Sequence, residues 1–220
     1  MRRTDEKPDR EDPRTSAEYR VVETAKRQKK QGKIFVISGP SGSGKTTLLN
    51  KLIQDREINK LLIKSRSLTT RPRRWQERDG QDYFFVSRDE FRRLLKAKKI
   101  LEWTRYLGYY YGTPRELVEA RIIKGGHIGF CLDLKGAAIL KKIYPKNTVT
   151  VFVLPPSLET LKARIEGRSK SIDKEEVAQR LALARRELSA ASDFDYCILN
   201  NNLQVALKEL KEIVLTHVGS

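Results

Sequence analysis

The chain has 220 residues, enough to bury a substantial core, and reads most economically as one α/β domain with a small insertion. Its 45 Lys and Arg against 28 Asp and Glu give a formal charge of +17, which predicts attraction to phosphate-bearing partners without separating a mononucleotide from a nucleic acid. No apolar stretch approaches the roughly 18 residues of a membrane span, residues 1–30 lack a secretory core, and Cys131, Cys197, His127 and His217 are too scattered for a metal site.

Residues 1–30 are charged and poor in large apolar groups, so they read as a mostly disordered basic arm, with a helix possible near 19–30. Its end, Lys26, Arg27, Lys29 and Lys30, suits a solvated tail or contact with nucleic acid or another partner, and no dedicated nucleic-acid module follows. The β-branched run Ile34 to Ile37 then leads into Gly39-Pro40-Ser41-Gly42-Ser43-Gly44-Lys45-Thr46, and a helical pattern follows at Leu48, Leu49, Leu52 and Ile53. This is the phosphate loop G-x-x-x-x-G-K-[ST] in its strand, loop and helix setting. Its backbone N–H groups point at phosphate oxygens, Lys45 reaches the β- and γ-phosphates, and Thr46 offers a hydroxyl to Mg²⁺. Nucleotide binding is thereby the first functional expectation.

Ile63 to Leu68 reads as a short strand, followed by the arginine tract Arg71-Pro72-Arg73-Arg74, the turn Asp79-Gly80 and a strand at Tyr83 to Val86. Ser87 to Glu90 forms a capping box, and Ile100 to Tyr106 with Tyr109 to Tyr111 a hairpin across Leu107-Gly108. Residues from about 67 to 113 are therefore a β-rich insertion, suited to an acceptor site beside the loop.

Thr113-Pro114-Arg115-Glu116 reads as a capped helix start and Gly125-Gly126 as that helix's end. The apolar run Ile128 to Leu132 closes on Asp133, either a carboxylate near Mg²⁺ or its waters, or simply a helix cap. A helix at Ala137 to Ile143, a strand covered on both faces at Thr148 to Leu154, and a helix capped by Ser157 come next. Arg164 and Arg168 lie on one face of that helix, and Arg180 sits on a second helix starting near Asp173. The pair makes either a lid over transferring phosphates or two solvated basic faces. Tyr196 to Leu199 reads as a last core strand and Leu203 to Val214 as a closing helix. Cys131 and Cys197, both in apolar runs that read as central strands, are expected to be buried thiols in the reducing cytoplasm.

Several separated stretches occur in an order that resembles the guanylate kinase family: Ser38 to Gly42, Thr69-Thr70-Arg71, Gly80 to Tyr83, Leu101-Glu102-Trp103, Tyr110 to Thr113 and Leu154 to Ser157, within residues 33–216. The resemblance implies a P-loop nucleoside monophosphate kinase fold with a five-stranded parallel core sheet (31–66, 114–155 and 190–220), a GMP-binding insertion (67–113) and a helical lid (156–189). It implies transfer of a phosphoryl group from ATP to GMP in purine metabolism, with Mg²⁺ accompanying ATP through Thr46. ATP would lie on Gly39, Ser41, Gly42, Ser43, Gly44, Lys45, Thr46 and Thr47. GMP would lie against Ser67, Arg71, Arg74, Tyr83, Glu102, Tyr111, Thr113 and Asp133, with Ser67, Glu102 and Thr113 reading guanine. Lys45, Arg74, Arg164, Arg168 and Arg180 would carry catalysis. A carboxylate accepts both N1–H and the 2-amino group of guanine, which adenine cannot supply. The chain departs from the family at Cys131, where an acid is common, and at Lys135, Gln76, Asn201 and Asn202. Two rival readings are a catalytically weak phosphopeptide-binding module of the same family and a kinase for another phosphorylated acceptor.

Overall fold

A computed structural model describes residues 31–167 and 173–218. The expected helix near 19–30, Arg168 and the turn at 169–171 lie outside the described residues.

Five strands, β1 (Ile34–Ser38), β2 (Leu62–Lys64), β7 (His127–Cys131), β8 (Thr148–Leu154) and β9 (Tyr196–Leu199), form a parallel sheet in the order β2-β7-β1-β8-β9. β1 is central, and all five of its residues are buried, as a continuous β-branched run demands when helices cover both faces. On one face α1 (Lys45–Leu52) and α7 (Leu203–Val218) pack Leu48, Leu49, Leu52, Ala206, Leu210 and Val214 against Phe35, Ile37 and Val151. On the other, α3 (Arg115–Ile123) and α4 (Leu134–Ile143) pack Val118, Ile122, Ala137 and Leu140 against Ile34, Val36 and Phe130. Each side thus carries its own apolar layer, the doubly wound arrangement expected from alternating strands and helices.

A second sheet, β4-β3-β6-β5, is built from β3 (Leu68–Thr69), β4 (Phe84–Phe85), β5 (Ile100–Tyr106) and β6 (Tyr109–Pro114). Helix α2 (Arg88–Lys96) backs it through Phe91, and Ser87 Oγ caps that helix by accepting from Glu90 N. The hairpin turns at Leu107 and Gly108, both at positive φ (48° and 82°), a type I′ geometry that matches strand twist. Helices α5 (Leu158–Glu166) and α6 (Lys174–Leu188) pair through Leu161, Ile165, Val177 and Ala184, with Ser157 and Asp173 as their caps.

The structure corrects four local expectations. The run Ile63 to Leu68 is not one strand, since β2 belongs to the core sheet and β3 to the second. Thr113 does not cap α3; its hydroxyl donates to Glu102 Oε1, and Pro114 occupies the cap position without a side-chain bond. β9 is an edge strand, so Cys197 is exposed, and Cys131 is only partly buried. The closing helix runs on to Val218 because its apolar stripe continues past Val214.

Asp195 ties the β9 edge to its neighbours. Its Oδ2 accepts from Thr150 N (2.8 Å), Thr150 Oγ1 (2.9 Å) and Lys141 Nζ (2.7 Å). Burial would raise the Asp195 carboxyl, but the Lys141 and Thr150 bonds hold it below its ordinary value. A depressed carboxylate contributes stability that is lost as pH falls through its folded titration. Asp195→Ala is expected to cost about 1–2 kcal/mol in urea denaturation at neutral pH, and its gap from wild type to close in acid.

Candidate active site

The phosphate loop runs from β1 into α1, and Gly44 sits at the N-cap with φ 99°. A Cβ on Gly44 would lie 2.2 Å from Asn200 Nδ2, which itself donates to Ser43 O at 2.7 Å, so only glycine fits between the loop and the end of β9. The first turn of α1 holds no acid, whereas the first turns of α2, α5 and α6 all do. The positive end of the α1 dipole is thus left for an external anion. Lys45 Nζ lies over the loop, donating to Gly39 O (2.5 Å) and Pro40 O (2.8 Å). Ser43 Oγ is one of two buried side-chain polar atoms among the described residues with no hydrogen-bond partner, a group that a phosphate oxygen would satisfy.

One crevice of about 1120 Å³ opens on this loop and is walled by the second sheet and by α6. Gly39, Ser41, Gly42, Gly44, Lys45, Thr46, Ser67, Arg71, Arg74, Tyr83, Glu102, Tyr111, Asp133 and Arg180 all line it. Of the remaining expected residues, Ser43 and Thr113 lie buried behind the lining and Thr47 is exposed on α1 outside it. Arg164 stands beside the loop, donating to Gly42 O and Asn200 O at 3.5 Å.

Arg180 joins three parts of the molecule. It donates from α6 to Ser41 Oγ (3.0 Å), lies 5.7 Å over the Tyr106 ring of the hairpin, and pairs with Glu176 one turn away. Arg71, whose side chain is 12% exposed, is held by Glu77 at 2.8 and 3.0 Å and stacks over Tyr83 and Phe85. Burial alone would lower the Arg71 titration, and Glu77 and Tyr111 reverse the sign. Burial likewise opposes the Glu77 charge, but the hydrogen bonds from Arg71 and from Arg74 N bring it below its ordinary value. Desolvation pushes the Tyr83 phenol up to about 12, so it stands ready as a hydrogen-bond donor.

Glu102 is 4% exposed, and Thr113 Oγ1 donates to it at 2.5 Å. Burial pushes its carboxyl up to about 7, Thr113 and Lys135 pull it down, and Asp133 pushes it up. Asp133 caps α4 by accepting from Gly136 N at 2.8 Å, so the cap reading of this residue is realised. Gly136 brings the α4 backbone against Glu102: a Cβ there would lie 2.9 Å from Glu102 Oε2.

Glu77, Glu176 and Glu187 are acids of the site that were not foreseen. Glu77 sits in an irregular loop, where spacing carries no periodic signal. Glu187, raised to about 7 by burial, with Lys45 opposing and Asp133 reinforcing, lines the crevice seven residues after Arg180. That two-turn spacing on one helix face was a usable signal.

Residues 31–217 match the model of the family described as Guanylate kinase. A guanylate kinase of Hyphomonas neptunium is 42% identical over 189 residues, covering 86% of this chain and 85% of its own length. One from Synechococcus sp. is 40% identical, covering 84% of this chain and 82% of its own. The crystal structure of guanylate kinase from Anaplasma phagocytophilum superposes with a TM-score of 0.72 at 31% identity, over 88% of this chain and 89% of that one.

Gly44→Ala is expected to weaken ATP binding at least about tenfold in titration calorimetry, a loss of roughly 1.4 kcal/mol. Far-ultraviolet circular dichroism of the folded protein should be unchanged.

Proposed function

This chain belongs to the guanylate kinase family, and from that premise we propose how its own residues divide the work. The enzyme transfers the γ-phosphoryl group of ATP to GMP, giving ADP and GDP. The observation that carries the assignment of residues is a buried carboxylate, Glu102, facing the same crevice as the phosphate loop.

ATP lies with its phosphates on residues 39–47 and its terminal phosphate toward Lys45. GMP lies against the second sheet. Ionised Glu102 accepts from guanine N1–H and the 2-amino group, while the Ser67 hydroxyl donates to O6 and Thr113 orients the carboxylate. AMP would leave that buried acid unmatched, and an unmatched buried polar group discriminates strongly. Arg71 and Arg74, with the Tyr83 and Tyr111 hydroxyls, receive the GMP phosphate, the guanidinium forks suiting a dianion. Glu77 holds Arg71 in place from behind. Arg164 and Arg180, together with Arg168, offset charge on the transferring group, which needs positioning and electrostatic help more than a strong base. In this division residues 31–66, 114–155 and 190–220 form the core, 67–113 bind the acceptor, and 156–189 act as lid.

Thr46, exposed in the first turn of α1 and lining the crevice, is the residue to hold Mg²⁺ alongside ATP's own oxygens. Bound there, the ion would supply charge neutralisation for the phosphates of ATP. No described helix is long and apolar enough to cross a membrane, and the free thiols Cys131 and Cys197 suit the cytoplasm. The intact loop and Glu102 favour this reading over a binding module or a different acceptor.

In a phosphotransfer assay offering GMP, AMP, dTMP and a ribose bisphosphate, GMP should be the preferred acceptor. Glu102→Gln is expected to raise KM for GMP by about 100-fold while leaving KM for ATP near wild type. An unchanged preference for GMP over AMP would refute the base-reading role. Lys45→Ala should lower kcat by about 10²-fold or more without loss of fold.

A further inference from the structure

The Arg180 guanidinium is held from its edges by hydrogen bonds and from one face by an aromatic ring. Its Nε and one Nη donate to Glu176 Oε1 at 2.8 and 2.5 Å, and the other Nη donates to Ser41 Oγ at 3.0 Å. These bonds use three of the five N–H groups of an arginine, which leaves two for phosphate oxygens. Bonds in the plane set where the edges point, but a contact on the face is what opposes tilting out of the plane. Tyr106 supplies it, with its ring centroid 5.7 Å from Arg180 Cζ. Arg180 is only 9% exposed, and desolvation of this kind strengthens the attraction between a cation and a ring.

The backbone around Tyr106 makes it a firm platform. It is the last residue of β5, pairs with Tyr109 across the turn, and stands directly before Leu107 and Gly108, whose positive φ values close the hairpin. The returning strand is tied to β3: Thr70 N donates to Tyr110 O at 3.0 Å, and Tyr110 N donates to Thr70 Oγ1 at 2.9 Å. Glu102, Thr104 and Tyr106 take alternate positions along β5 and all line the crevice, so the strand that carries the guanine-facing carboxylate also carries the platform. What the residue contributes is its ring. Tyr106 Oη is the second of the two buried side-chain polar atoms among the described residues with no hydrogen-bond partner, and a buried hydroxyl in that state costs stability without returning a contact.

We propose that Tyr106 is a positioning residue for phosphoryl transfer, its ring holding the Arg180 guanidinium toward the phosphate loop. The inference rests on the assignment of Arg180 to the transferring group made above. Tyr106 acts through Arg180, while ATP is held by the loop and GMP by the second sheet, so loss of the ring falls on kcat and spares both KM values.

The test is a double-mutant cycle on kcat combining Arg180→Ala with Tyr106→Leu, Tyr106→Met and Tyr106→Phe, with folding followed by circular dichroism. Leu and Met keep apolar bulk without a ring face, so that one of them serves if the other unfolds. Each is expected to lower kcat about tenfold, with KM for ATP and for GMP within about twofold of wild type. Tyr106→Phe keeps the ring and should match wild type. In the Arg180→Ala background neither Leu nor Met should cost anything further, because residues that act as a unit are not additive. Wild-type kcat without the ring, an equal cost in both backgrounds, or a Tyr106→Phe enzyme as slow as Tyr106→Leu overturns this inference alone. Wild-type kcat in Arg180→Ala overturns instead the role of Arg180 beneath it.

Discussion

Two phosphate-bearing nucleotides repel each other, and an enzyme that joins them end to end must supply cations and oriented dipoles at the junction without letting those cations repel one another first. The fold meets both requirements with a few contacts. The α1 N-terminus, left free of acids, faces the crevice, and Lys45 is held over the loop by carbonyls. Arg71 is balanced by Glu77 and Arg180 by Glu176, so neither guanidinium needs a bound anion to stay in place. Such pre-organisation is where electrostatic catalysis gains most, because little has to move when charge develops.

Coupling between the parts follows from the same contacts. Arg180 touches the phosphate loop through Ser41 and the second sheet through Tyr106, so α6 senses both sides of the crevice. Asn200, at the end of β9, braces the loop through Ser43 and leaves room only for glycine at position 44. Glu77 and Glu176 serve the cations in turn, whereas Glu102 is buried with Thr113 as its donor and its titration is pushed up to about 7.

What could be read from the sequence was what local chemistry determines. The phosphate loop was legible because glycine spacing, a flanking strand and a helix start define it without distant partners, and Ser87, Ser157 and Asp173 cap their helices as their positions suggest. Where tertiary demand outweighed local preference the sequence misled. Thr113 has a cap-like setting, yet its hydroxyl goes to Glu102, because an unpartnered buried carboxylate costs more than an uncapped helix end. An apolar run does not record which sheet it joins, so Leu62–Lys64 and Leu68–Thr69 looked like one strand. Nor does it record edge or centre, hence the exposure of Cys197. Glu77 had no readable signal because irregular loops have no period.

The arrangement proposed places both nucleotides in one crevice with their phosphates facing. Its most direct measurement is calorimetric binding of a compound joining adenosine and guanosine 5′ to 5′ through a polyphosphate chain, followed by displacement with each substrate. A single molecule should bind per chain, tighter than either nucleotide alone and displaced by both ATP and GMP. Binding no tighter than ATP, or displacement by only one of the two, would contradict it.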